Sequence, residues 1–234
     1  MKKFYKVVTA APVFGGYEIH LDGRPVKTPG AAPLVAPTQK LADVIVREWA
    51  GQDKDIVPES MPLTQILITA QDRVPRERAV MEKTVLAFLD TDLLCYRAVL
   101  PAAVAERQSR EWDPWLDWFE KKYGVPLQTT ESLLAVKQPD EAHAVVAAAV
   151  RVLDHMAFTV LQLAASLSGS LVLGLAFVTG AATPEQVFAA AHVEESFKGE
   201  IYDEAKYGVA PNDEKRRAGM LRDLEAARAF LSLL

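Results

Sequence analysis

The feature that most constrains the fold of this chain is a change of hydrophobic period near residue 58. Before it, short runs such as Phe4 to Val8 and Tyr17 to Leu21 are separated by Gly15-Gly16 and Asp22-Gly23, the pattern of strands divided by turns. An Asp-Gly pair tolerates the positive φ of a two-residue hairpin loop, so a hairpin is expected there. Pro25, Pro29, Pro33 and Pro37 then remove ladder donors, which keeps any strand in that stretch short or at an edge. One helix is expected within this region, at about 38–51. Thr38 can cap it, and Leu41, Val44, Ile45 and Trp49 recur at helical spacing along it.

Beyond the change the period is helical. Pro58 and Pro62 interrupt it, and Pro75 suits a first helical turn ahead of Val80, Val85, Leu86 and Leu89. Further helices are expected over Pro101 to Tyr123, Asp140 to Leu167, Leu171 to Thr179, Pro184 to Tyr207 and Asp213 to the C-terminus. Gly124, Ser168-Gly169, Gly180 and Gly208 to Pro211 supply the breaks. The fold class is therefore α+β: a small β-rich N-terminal domain, residues 1–58, followed by a larger all-helical C-terminal domain, residues 59–234.

At 234 residues, half of them apolar, the chain can bury a substantial core. A formal net charge of -5 offers no basic footprint, so nucleic acid is not an expected partner. The single cysteine, Cys95, excludes an internal disulfide and suits a reducing compartment as a buried, inert thiol. Met156 to Val178 is apolar, but Gln162, Ser166, Ser168, Gly169 and Ser170 interrupt it. A buried helical hairpin is expected there, without membrane insertion.

Three of the four tryptophans, Trp112, Trp115 and Trp118, fall within seven residues. At that spacing, with Phe119, most of the rings share a helix face. They either pack inside the domain or, with Arg97, Arg107 and Arg110 nearby, form a platform for another protein. On the helix after Pro184, an apolar stripe of Val187, Ala190, Phe197 and Ile201 runs through Glu194. A carboxylate there calls for a partner or an exposed groove, or else lies at the edge of a narrow stripe. Glu195, Glu200, Asp203 and Glu204 read as a solvated acidic face.

The residue types of catalysis are scattered. His192 and Glu195 lie three apart, but two ligands do not define a metal site, and His20, His143 and His155 have no ligand spacing. Ser166, Ser168 and Ser170 lack a nucleophile elbow, and no glycine-rich run ends in Gly-Lys-Ser or Gly-Lys-Thr. Neither a metal nor a cofactor is expected. The remaining enzymatic alternative is a small acid-base enzyme in which Glu194 or Glu195 has a raised pKa and works with His192 or Asp92 in an interdomain cleft.

A series of longer motifs runs in order along nearly the whole chain. It comprises Leu21-Asp22-Gly23-Arg24-Pro25-Val26-Lys27-Thr28-Pro29, Glu48-Trp49 with Gln52, Met61-Pro62-Leu63-Thr64, and Thr69-Ala70 with Asp72. Thr91-Asp92-Leu93-Leu94-Cys95-Tyr96-Arg97-Ala98 follows, then Arg107-Gln108 and Trp112-Asp113-Pro114. Together these resemble the assembly chaperone family for the α subunit of the F-type ATP synthase catalytic head, found in mitochondria and α-proteobacteria.

The resemblance implies a β-rich part followed by a helical part, and a protein that is not an enzyme. It implies binding of the free α subunit, which is kept from aggregating until the β subunit takes its place. With no transit peptide visible, this copy is expected to be bacterial and cytoplasmic, and monomeric when free. The family's important acidic position falls within Val193-Glu194-Glu195-Ser196-Phe197; Glu194 matches it, with Glu195 the alternative if the alignment shifts by one. Where relatives have glutamine and then Trp-Gly, this chain has Lys198 and Tyr202-Asp203. The expected partner-binding residues are Glu194, Glu195, Phe197, Trp112, Trp115 and Arg97; Trp49 and Asp92 are expected to be structural.

Overall fold

A computed structural model describes residues 1–132, 134–201 and 211–234. It has the α+β architecture, with a four-stranded antiparallel sheet near the N-terminus and helices through most of the rest. Residues 1–78, 154–160 and 226–234 form one compact unit, and residues 79–153 and 161–225 form a second.

In the first unit, β1 (Val8–Val13) pairs with β2 (Gly16–Leu21) around Phe14-Gly15. Strand β2 pairs in turn with β3 (Arg24–Pro25) and β4 (Val35–Ala36). The Asp22-Gly23 hairpin is present, with φ of 50° and 78° at its two positions. At Gly16, a Cβ would lie 2.2 Å from the Ala36 carbonyl oxygen, so only glycine lets β4 close on β2. The proline-rich stretch yields strands of just two residues.

The first strand begins later than the Phe4 to Val8 run suggests. The N–H groups of Lys6 and Val7 donate to the Asp22 carboxylate at 2.8–3.2 Å and so are withdrawn from any ladder. The bonds from Val7 and then Lys6 hold the Asp22 carboxyl below the usual carboxylate range.

Helix α1 (Gln39–Ala50) is capped by the Thr38 hydroxyl, which accepts the Leu41 N–H. It lies against β1 and β2, burying Leu41, Ala42, Ile45 and Trp49 over Ile19, Leu34 and Ala36. Tyr5 donates its hydroxyl to the Trp49 carbonyl at 2.7 Å, and the two rings lie 5.9 Å apart.

Helix α2 (Pro62–Ile68) has no cap from its own flanking residue. The Glu48 carboxylate of α1 takes that place, accepting the N–H groups of Leu63 and Thr64 at 2.8 Å and the Thr64 hydroxyl at 2.6 Å. Burial raises the Glu48 pKa despite these bonds.

Pro75 does not open a new helix. The chain arrives already helical from α2, passes through a π turn at Thr69–Arg73, and continues as α3 (Val74–Ala87). Pro75 has no N–H to donate back along the helix, and the turn before it widens so that Val74 N–H reaches the Thr69 carbonyl, five residues earlier.

The second unit contains α4 (Ala102–Tyr123), α5 (Asp140–Arg151), α7 (Leu171–Val178), α8 (Pro184–Ala191) and α9 (Val193–Ile201). Helices α6 (His155–Ser168) and α10 (Pro211–Ser232) contribute residues to both units.

The single helix expected over Asp140 to Leu167 is two helices. The Asp154 carboxylate accepts the Ala157 N–H at 2.8 Å and caps a new start. The helix expected from Pro184 to Tyr207 also breaks, at His192, and its part beyond Ile201, with Tyr202, Asp203, Glu204 and Gly208, lies outside the described residues. Residues of α7 from Leu171 to Phe177 are all buried. A Cβ at Gly174 would meet Ala165 and Leu161 of α6 at 3.1 Å, which shows how closely these two helices pack. No helix among the described residues is long and apolar enough to cross a membrane.

Trp49 lies on the buried face of α1 and contributes one of the largest rings in its unit. Replacing it with alanine is expected to cost about 3–5 kcal/mol and to lower the melting temperature by roughly 10 °C. A thermal scan of Trp49→Ala checks this; an unchanged melting temperature would place the indole outside the core.

Candidate functional site

Within the second unit, α4 packs against α7, α8 and α9, and three of its side chains grip the α8–α9 segment. The Trp112 indole N–H donates to the Ala190 carbonyl at 2.8 Å, Gln108 Nε2 donates to Glu194 Oε1 at 2.9 Å, and Arg107 forms two 2.8 Å bonds to the Glu200 carboxylate. The spacing follows helix geometry, since Gln108 and Trp112 are one turn apart on α4, as are Ala190 and Glu194 along the facing segment. The Arg107 guanidinium also lies over the Phe197 ring, 5.6 Å from its centroid. Its bond to Arg107 keeps the Glu200 carboxyl below the usual carboxylate range.

The break at His192 decides where the acidic residues point. Its backbone N–H is shared between the carbonyls of Phe188 and Ala189, its ring stacks on Phe188 with centroids 4.1 Å apart, and Nδ1 lies 2.9 Å from the Phe188 carbonyl oxygen. Burial pushes the His192 pKa down, so the ring is neutral near pH 7. With the helix restarted at Val193, the expected stripe does not continue. Val187 and Ala190 are buried, Phe197 is half-buried, Ile201 is 63% exposed and Glu194 stands in solvent. Glu194 is therefore not a carboxylate forced into a core.

The three acidic side chains of α9 differ in how their charge is matched. Glu195 pairs with Arg216 of α10 and lies 4.0 Å from Arg217, with the neutral His192 ring at 3.4 Å. Glu200 pairs with Arg107. Glu194 is bonded to the neutral amide of Gln108 and makes no ion pair among the described residues. His192, Glu194, Glu195, Lys198, Arg216 and Asp223 line a cavity of about 550 Å³ together with Leu93, Leu167, Trp112 and Met220. Among the described residues no group of three or more His, Cys, Asp and Glu side chains is placed to hold a metal ion.

Trp112 is only 1% exposed and acts from inside the bundle, because its indole N–H has to meet the Ala190 carbonyl. Phe119 is buried with it, while Trp115 and Trp118 are half-buried on the flank of α4. Arg97 pairs with Asp113 at 2.6 Å and lies over Trp112, 5.4 Å from the ring centroid. A second cavity, of about 520 Å³, opens beside Arg97, Gln108, Asp113 and Glu131.

Asp92 does not line the cavity that contains Glu194. It is wholly buried, where its two oxygens accept the N–H groups of Leu94 at 3.1 Å and Val172 at 3.0 Å. It thereby caps both the 3-10 turn at Leu93–Cys95 and the N-terminus of α7. Trp49 belongs to the first unit. Gln108 and Arg216 are the participants that periodicity does not reveal, since their roles depend on partners 86 and 21 residues away.

Burial raises the Asp92 pKa to about 6, although the Ser170 hydroxyl and the N–H groups of Val172, Leu94 and Leu171 pull it down. A folded-state pKa above the unfolded one means that the native protein binds the extra proton. The associated stability is present at low pH and is lost as pH rises through about 6; two units correspond to roughly 3 kcal/mol. The melting-temperature margin of wild type over Asp92→Asn should therefore narrow between about pH 4.5 and 7.5. Parallel thermal scans check this, and a margin that widened would contradict it.

A family model described as ATP12 chaperone protein matches residues 2–120. The crystal structure of Atp12 from Paracoccus denitrificans is similar over 99% of this chain and 97% of that one, with 31% identity and a TM-score of 0.87. A point mutant of the Paracoccus protein gives the same values. The Atu1473 protein of Agrobacterium tumefaciens is 37% identical, with a TM-score of 0.89, over 99% of this chain and 85% of that one. The motifs, the fold and these matches agree: the chain belongs to the ATP12 chaperone family.

Proposed function

We propose that this protein is an assembly chaperone that binds the free α subunit of the F-type ATP synthase catalytic head and holds it until the β subunit takes its place. Membership of the ATP12 chaperone family is the observation that carries this reading. In it the chain works as a monomer in the bacterial cytoplasm and needs no nucleotide hydrolysis, in keeping with a sequence that has no phosphate-binding Gly-Lys-Ser or Gly-Lys-Thr run.

The contact surface in this reading is centred on α9. Glu194 supplies a solvent-facing carboxylate that makes no ion pair among the described residues, and half-exposed Phe197 and exposed Ile201 supply apolar area beside it. Trp115 and Arg97 lie on the α4 side, while Trp112 supports the surface from below. Glu195, already paired with Arg216, has the weaker claim. A subunit awaiting its partner exposes a large interface, and the holder must later release it. A small apolar patch with one directional charge gives discrimination without maximal affinity.

Light scattering of isolated α subunit should fall when a several-fold excess of the chain is added without nucleotide. Glu194→Gln should melt within a few degrees of wild type, because its amide oxygen can still accept from Gln108 Nε2, whereas Glu194→Lys, which leaves that buried donor facing a cation, should fold but melt somewhat lower. Both should protect the client less well, with the lysine variant worse. Wild-type protection by folded Glu194→Lys would remove Glu194 from the contact.

A further inference from the structure

Gln108 is fully buried, at 0% exposure, and both ends of its amide are engaged. Oε1 accepts the Ala98 N–H at 2.7 Å and Nε2 donates to Glu194 Oε1 at 2.9 Å. A backbone N–H can meet only the oxygen, so the amide has one allowed orientation and must present its NH₂ to Glu194. Ala98 is itself held in place. Arg97 N–H donates to the Thr130 carbonyl at 2.8 Å, and the Arg97 side chain is pinned between Asp113 and Trp112.

The chemistry at position 108 is selective. A lysine or arginine there would orient Glu194 equally well, but would cancel its charge. A leucine would take away the acceptor of the part-buried Ala98 N–H. Glutamine fixes one carboxylate oxygen with a neutral donor, preserves the full negative charge and leaves Oε2 without a hydrogen-bond partner among the described residues. The two neighbouring acids, Glu195 and Glu200, are met by arginines instead.

We infer that Gln108 is a positioning residue for client binding: it aims the Glu194 carboxylate outward with its charge intact, toward a cationic or N–H group of the α subunit. This rests on the proposed role of Glu194 as the client contact.

The test compares Gln108→Glu, Glu194→Gln and the exchange variant carrying both, each scored by melting temperature and by suppression of α-subunit light scattering. In Gln108→Glu one oxygen still accepts the Ala98 N–H, but the other faces the Glu194 carboxylate. Protection should fall on the order of tenfold, as expected for losing a hydrogen bond to a charged group. In the exchange variant an amide at 194 donates to a carboxylate at 108, so the bond returns with donor and acceptor reversed. Melting temperature should recover relative to Gln108→Glu, while protection stays at the level of Glu194→Gln alone. Gln108→Met, which introduces no charge, serves where Gln108→Glu does not fold, and its protection should also fall.

An exchange variant that protects like wild type would overturn the inference, since the bond and not an aimed charge would then matter. Wild-type protection by Gln108→Glu or Gln108→Met, with Glu194→Gln deficient, would overturn the positioning role and leave the contact role of Glu194 standing. Wild-type protection by Glu194→Gln would overturn both.

Discussion

The geometry of the second unit depends on a carboxylate buried at the start of a helix. Asp92 gives one oxygen to the turn that follows it and the other to the first turn of α7, so the segment from residue 92 onward is tied to the core of the bundle. A helix N-terminus favours a negative charge, but burial opposes it more strongly, and the balance leaves the pKa raised. From this anchor the order passes along the chain. The Cys95 carbonyl accepts the Thr130 N–H, and the Arg97 N–H donates to the Thr130 carbonyl. Asp90, just upstream, accepts the Gln138 N–H and contacts His143. Ala98 thus reaches Gln108 from a segment with little freedom, and the placement of Glu194 traces back to a residue that lines none of its cavity.

The motifs that identify the family are, in physical terms, mostly two halves of the same hydrogen bonds. Glu48 caps the helix that begins within Met61-Pro62-Leu63-Thr64. Gln52 accepts the Val57 N–H and donates to Ser60. Asp72 accepts the Thr28 hydroxyl at 2.7 Å and the Gly30 N–H at 2.6 Å, joining the Thr69 to Asp72 segment to the end of the hairpin motif. Arg97 meets Asp113, and Gln108 meets Ala98. A buried polar group without its partner costs more than a satisfied one contributes. Each half of such a bond therefore constrains the other across a long stretch of sequence, and recognisable strings result even where no chemistry occurs.

What the sequence made legible was whatever local geometry decides. The Asp22-Gly23 hairpin, the curtailed strands around the prolines, the Thr38 cap and the helix ends at Gly124, Gly169 and Gly180 all depend on a residue's own φ or its own side chain. The misplaced features depend on capture from elsewhere. Asp22 takes the N–H groups that would have begun β1 early, and the arrival of α2 converts the Pro75 start into a π turn. Asp154 and His192 are intermediate cases, since each uses only near neighbours to end a helix that periodicity alone would extend. The break at His192 also moves Glu194 from an apolar stripe to the surface.

In the proposed contact α9 offers one acid with no ion pair among the described residues, Glu194, followed by two paired ones, Glu195 and Glu200, an arrangement that suits reversible holding. Glu195 and Glu200 are met by arginines of α10 and α4; exposed pairs of this kind add little net stability, and in the proposed contact their effect is to withhold charge from the client. If all three acids were unmatched, their mutual repulsion would loosen the helix, and the surface would attract any basic protein. If all three were matched, Phe197 and Ile201 would act as an undirected apolar patch. In the proposed contact a single carboxylate, held by a neutral amide, adds direction to that patch. A proposed contact of that kind can be displaced by a larger and better-packed subunit interface, because affinity between proteins follows the quality of a few central contacts more than buried area.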